Sequence, residues 1–222
     1  MKYLIIFAIA CMPILCLAQS CNYYYLQNNK TIEMTMYGKK GEPAGKVIYK
    51  ISDVKKAGGT TTAKVNSQVQ DKNGKLIGSG ASVMQCTNGQ LKVDMKMMLP
   101  AGQQGQFTAD VNANSSYIEY PVTMAVGDKL ADANFNMDMD MSTGLRANVE
   151  MEVKDRQVVA KESVTTPAGT WECYKINYKS KMMIRMGIGI PVKQDITEWF
   201  APGFGVVKTQ AKNSSTEITS IK

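Results

Sequence analysis

Histidine is absent from all 222 residues. Without an imidazole, a Ser or Cys nucleophile lacks its usual general base, and a transition metal lacks its commonest ligand. Ser–Lys chemistry and paired carboxylates each need a particular spacing, and none here picks out such a pair. No glycine-rich phosphate loop, dinucleotide fingerprint or metalloprotease helix occurs. Gly187-Ile188-Gly189 is a lone glycine pair in an apolar run, which reads as a bulge rather than a ligand loop. The expectation is a non-enzyme with no catalytic residues, cofactor or metal.

Sulfur is the remaining chemistry. Of five cysteines, Cys11 and Cys16 fall in an N-terminal apolar leader, leaving Cys21, Cys86 and Cys173. In an oxidising compartment, three cysteines allow one bridge and one leftover thiol. Cys21 and Cys86 lie at the ends of predicted elements, whereas Cys173 sits in the middle of a strand. Two ends approach more easily than an end and a middle, so Cys21–Cys86 is the expected disulfide. In the alternative reading, Cys21 is the lipid-bearing first residue of a lipoprotein. Ala18-Gln19-Ser20-Cys21 matches a lipobox only loosely, since position −3 lacks Leu.

The sixteen methionines include Met1 and Met12 of the leader, and many of the others alternate: Met34 and Met36, Met95 and Met97, then Met137, Met139 and Met141. Clustered thioethers suit Cu(I), but this spacing follows a strand pleat rather than a loop-borne site. Methionine also fills irregular cores and lines adaptable apolar surfaces. The expected ligand-binding set is Met95, Met97, Phe135, Met137, Met139, Met141 and Met151, on one concave face open to an apolar small molecule. Asn136, Asp138 and Asp140 form an acidic row on the opposite phase. Alternate strand positions stand about 7 Å apart along a flat face, which suits solvent better than Ca²⁺.

The elements that carry these residues read as strands. Leu91, Val93, Met95 and Met97 alternate with Lys92, Asp94 and Lys96. Ala63, Val65 and Val69 oppose Lys64, Asn66, Gln68 and Gln70. A period of two with one wet face is the antiparallel half-buried strand. Gly58-Gly59, Asn73-Gly74 and Asn88-Gly89 punctuate hairpins. Met98 to Asp110, with Pro100, Gly102 and Gly105, reads as a loop with one helical turn. The β pattern then returns and no sustained 3.6-residue stripe appears. The expected fold is mostly β: a single curved antiparallel sheet, half-barrel or open barrel, with little helix.

Ahead of this domain, Met1-Lys2-Tyr3 and the uncharged run Leu4–Leu17 form a signal peptide over 1–18, too short and wrongly flanked for a membrane anchor. Its removal leaves residues 19–222 as one β domain, and 26 basic residues become 25 against 19 acids, a charge of +6. The basic residues are scattered, with no stripe of the kind a nucleic-acid binder presents.

Two C-terminal segments are distinctive: Thr166-Pro167-Ala168-Gly169-Thr170-Trp171-Glu172-Cys173-Tyr174-Lys175, and Glu198-Trp199-Phe200-Ala201-Pro202-Gly203-Phe204-Gly205-Val206-Val207-Lys208. Gly169 reads as the end of a three-residue hairpin loop, Pro202-Gly203 as a type II turn, and Gly205 as a strand start where a side chain would clash. With Cys21-Asn22-Tyr23-Tyr24-Tyr25, these segments resemble the TapB-like secreted bacterial proteins, a domain-of-unknown-function family. The resemblance implies a curved antiparallel sheet similar to the half-barrel of lipoprotein carriers, and no established reaction. The expectation is an exported protein of the periplasm or cell surface that binds an apolar ligand and does not span the membrane. The alternative is a structural or interaction module with a filled core, whose partner is another envelope protein.

Overall fold

The computed structural model describes residues 21–99, 116–140, 146–186 and 188–222. The leader expected over 1–18, Gly187 and most of the loop expected over Met98–Asp110 lie outside the described residues. The strands are β1 (Thr31–Tyr37), β2 (Pro43–Ala57), β3 (Thr60–Asp71), β4 (Leu76–Thr87), β5 (Gln90–Asp94), β6 (Tyr117–Tyr120), β7 (Ala133–Asp140), β8 (Arg146–Thr166), β9 (Gly169–Met186), β10 (Ile188–Ala201), β11 (Gly205–Gln210) and β12 (Ser215–Ile221). They form one antiparallel sheet in the order β6-β5-β4-β3-β2-β1-β12-β11-β10-β9-β8-β7. The sheet is nearly closed into a barrel, with one unsealed seam.

Alternation builds the inner face. On β3, Ala63, Val65, Ser67 and Val69 are buried, and the residues between them are half-buried. The β2–β3 and β4–β5 hairpins turn on Gly58-Gly59 and Asn88-Gly89, all at positive φ, the geometry that matches the twist of the flanking strands. The β8–β9 hairpin is tighter than expected: Thr166 pairs with Gly169, so Pro167-Ala168 is a two-residue loop.

Curvature comes from bulges. β2 slips register at Asp53 and β8 at Asp155, and both aspartates sit at positive φ. Each bulge adds an unpaired residue, bends its strand and reverses the inward phase beyond it. On β8, Val149, Met151 and Val153 point into the core before the bulge, and Arg156 and Val158 after it.

The inner face continues past β5 by a different route. The alternation expected through Met97 stops at Asp94, and Met95–Met98 form a 3₁₀ turn. Asp94 is fully buried and its side chain accepts the Lys96 backbone N–H at 3.0 Å, capping the turn. Strand pairing and local capping compete for the same backbone, and here capping wins.

Both ends of the described domain are fastened. Cys21 is bonded to Cys86, with their Cα atoms 5.6 Å apart, and Cys173 is a buried free thiol. Tyr24 stacks on Phe204 at 5.3 Å, and Trp171 lies 4.4 Å from the same ring, so all three segments that carry the resemblance meet at one aromatic cluster. Gly205 starts β11 at a φ of +130°, which favours glycine; a Cβ there would meet the Tyr25 ring only in ordinary contact at 3.4 Å, so the backbone rather than the expected clash selects it. Thr31 and Lys222 exchange backbone hydrogen bonds at 2.9 Å, which sets β1 beside β12.

Candidate functional site

The barrel interior is not filled. A cavity of about 410 Å³ lies between the sheet walls, within the range of small-molecule sites. Six methionines line it: Met34 and Met36 from β1, Met84 from β4, Met97 and Met98 from the 3₁₀ turn, and Met151 from β8. The wall runs out to Gln194 and Ser214, both exposed, so the cavity opens toward the turn between β11 and β12.

Part of its lining is polar. Glu198, on β10, is 2 % exposed and lines the cavity with Tyr120 of β6 and Tyr178 of β9. The Tyr120 hydroxyl donates to Glu198 Oε1 at 2.8 Å, and the Tyr178 hydroxyl also bonds the carboxyl. Burial pushes the Glu198 pKa above its ordinary value, opposed by the positive charge of Arg156 and the two tyrosine bonds. The Tyr120 and Tyr178 hydroxyls are pushed well up, first by burial and then by the Glu198 charge.

Arg156 stands behind this cluster, outside the cavity wall. Its guanidinium lies 5.0 Å from the centre of the Tyr120 ring, and its Nη1 donates at 3.0 Å to the carbonyls of Glu119 and Ala131. Tyr120 also stacks on Phe200, with ring centres 4.3 Å apart, which fixes the ring whose hydroxyl reaches Glu198.

Of the seven residues expected on the concave face, Met97 and Met151 line the cavity. Met95 and Phe135 are buried in the core but are not in the wall, and Met137 is half-buried at its edge. The Met139 side chain and Met141 lie outside the described residues. Asn136 and Asp138 are exposed and both accept from Asn148 Nδ2 at 2.8 Å, so they lie on a wet outer face.

The polar part of the lining escaped the sequence reading, although its signals are present. Glu198 occupies the apolar phase of Ile196-Thr197-Glu198-Trp199-Phe200, a charge where a core residue belongs. The apolar residues of β8 change from odd to even positions between Val153 and Val158, which marks the bulge that turns Arg156 inward.

Family comparison matches the DUF3108-like family over residues 27–222. The chain belongs to this family. The match does not itself carry the TapB-like name. No curated protein matches the chain. Among solved structures, it is similar to a protein from Bacteroides fragilis NCTC 9343 assigned to export and described as having a YmcC-like fold. The identity is 23 %, with 88 % of this chain and 96 % of that one covered and a TM-score of 0.67. It is also similar to a protein from Parabacteroides distasonis ATCC 8503 assigned as a lipoprotein. There the identity is 20 %, the coverage 89 % and 96 %, and the TM-score 0.71. At these identities the likeness is one of fold. Among the described residues, no helix is long and apolar enough to cross a membrane.

Proposed function

We propose that this DUF3108-like protein works outside the cytoplasm, in the cell envelope, and holds an apolar small molecule inside its barrel without transforming it. The observation that carries this reading is the methionine-lined cavity of about 410 Å³, open at one end. A module that used only its outer surface would have no need of such a space, since interiors otherwise pack at crystal-like density. Methionine suits the task because its flexible thioether adapts to ligands of varied shape.

Export is supported by the leader, by the Cys21–Cys86 disulfide, and by fold relatives assigned to export or lipidation. The disulfide favours a free, unlipidated N-terminus, because a Cys21 sulfur bonded to Cys86 cannot carry a lipid thioether.

The test is uptake of the neutral fluorophore N-phenylnaphthylamine by protein recovered from its own envelope. Wild type should bind it, and Met36→Trp and Met98→Trp should fill the cavity and reduce uptake with little loss of stability. Asn136→Ala and Asp138→Ala, on the outer face, should leave uptake intact. A wild-type protein that takes up no apolar probe sinks this reading and leaves the interaction module standing.

A further inference from the structure

Resting on the cavity reading above, the buried carboxyl identifies the polar end of the ligand. We infer that the ligand is an amphiphile with an uncharged hydrogen-bond donor, a hydroxyl, seated on Glu198, and that carboxylate amphiphiles such as fatty acids are rejected.

The cavity lining combines methionines with one buried polar group, Glu198 with Tyr120 and Tyr178. Glu198 Oε1 accepts from Tyr120, and Tyr178 bonds the same carboxyl, but a carboxyl offers about four acceptor positions. The carboxyl therefore holds acceptor capacity beyond what its two tyrosines use. A hydroxyl fits it in either protonation state, donating to a carboxylate or accepting from a carboxylic acid. Such a group also recovers the hydrogen bonds it gives up on leaving water.

An anionic head meets the opposite conditions. At neutral pH it either faces a second negative charge in an interior of low dielectric or leaves its own charge unpaired there. Arg156 cannot pair with such a head directly: its Nη1 is taken by two backbone carbonyls, and its Nε and Nη2, though buried without hydrogen-bond partners, belong to a residue that does not line the cavity. A cationic head is disfavoured in turn by the Arg156 charge behind the same cluster. The uncharged donor remains.

The experiment is displacement of bound N-phenylnaphthylamine at neutral pH by dodecanol and by dodecanoate, which share one chain length. Dodecanol should displace the probe from wild type at a concentration at least ~10-fold lower than dodecanoate, a difference of about 1.4 kcal/mol. In Glu198→Gln, whose amide oxygen still accepts from Tyr120, probe binding should persist and the gap should narrow several-fold. Dodecanoate competing as well as dodecanol against wild type would overturn the inference while leaving the cavity reading intact. An unchanged gap in a folded Glu198→Gln would overturn the assignment to Glu198. A wild type that binds no probe removes the cavity reading itself, so the two failures are distinct.

Discussion

Arg156 Nη1 donates to the Glu119 carbonyl across 3.0 Å, and this contact reaches from β8 to β6, the strand on the far side of the seam. The same nitrogen donates to Ala131 O, just before β7 begins. One buried guanidinium thus holds both ends of the connection between the first and last strands of the sheet. Arg156→Ala should destabilise the protein by roughly 2–4 kcal/mol, because two part-buried carbonyls lose their donor, the buried side chain loses its packing and Glu198 loses a nearby positive charge. Arg156→Lys should recover little of this, since an ammonium lacks the planar fork. Urea midpoints check both, and an unmoved midpoint for the alanine variant would show that the seam holds without this clamp.

The pH dependence of stability follows from Glu198. Burial raises its pKa above the ordinary 4.5, while Arg156 and the hydroxyls of Tyr120 and Tyr178 pull the other way. The folded protein therefore holds this proton more tightly than the unfolded chain does. Its contribution is fully present below 4.5 and is lost as pH rises through the folded-state pKa. Urea midpoints of wild type and Glu198→Gln, compared between about pH 4 and pH 8, should diverge, with wild type losing more stability as pH rises. Parallel curves would mean that folding does not perturb this carboxyl.

Two turns carry local strain that only glycine avoids. Gly203, at φ +76°, and Gly169, at φ +145°, face no neighbour closer than 3.9 Å, so any penalty there belongs to the backbone. Gly203→Val and Gly169→Val should each cost about 1–3 kcal/mol, read as a lower melting temperature. Wild-type melting of both would contradict the backbone geometry.

The cysteines should behave as two classes. Burial, with smaller contributions from Glu172 and Glu162, pushes the Cys173 thiol up to about 12, so it should resist alkylation until the protein unfolds. Cys21 and Cys86 should appear as one linked peptide pair under non-reducing conditions. Their bridge closes 65 residues, and in the chain-entropy model it stabilises the fold by about 4 kcal/mol. A Cys86–Cys173 peptide pair would overturn this pairing.

The curved sheet was legible in the sequence because period-two alternation and Asn-Gly or Gly-Gly turns are local signals. The disulfide was legible for a related reason: Cys21 and Cys86 stand at element ends. The site was read only in part. Met97 and Met151 reach the cavity, but Met95 leaves the strand pattern where Asp94 caps a turn, and Met137 packs against the core away from the cavity lining. Alternation tells inside from outside but not which inside residues pack and which border empty space, because that depends on how the curved walls approach one another. Glu198 and Arg156 were hidden for a further reason. Each is a charge on the inner face, and a charged letter read alone is assigned to solvent.

Thr31 and Lys222, hydrogen-bonded to each other, mark the one place where strands distant in the chain must find one another. Every other neighbouring pair in the ladder is also consecutive in the chain. The first six strands and the last six are therefore two self-contained meanders, each able to zip from its own hairpins. Only the β1–β12 pairing waits for a long loop to close, and that cost grows slowly with length. The barrel is a single ribbon rotated in sequence: a circular permutant opened in the β6–β7 connection, with a linker from Lys222 to the segment that precedes β1 so that Cys21 is kept, would run through its strands in strict spatial order and have no long-range strand pairing left to search for.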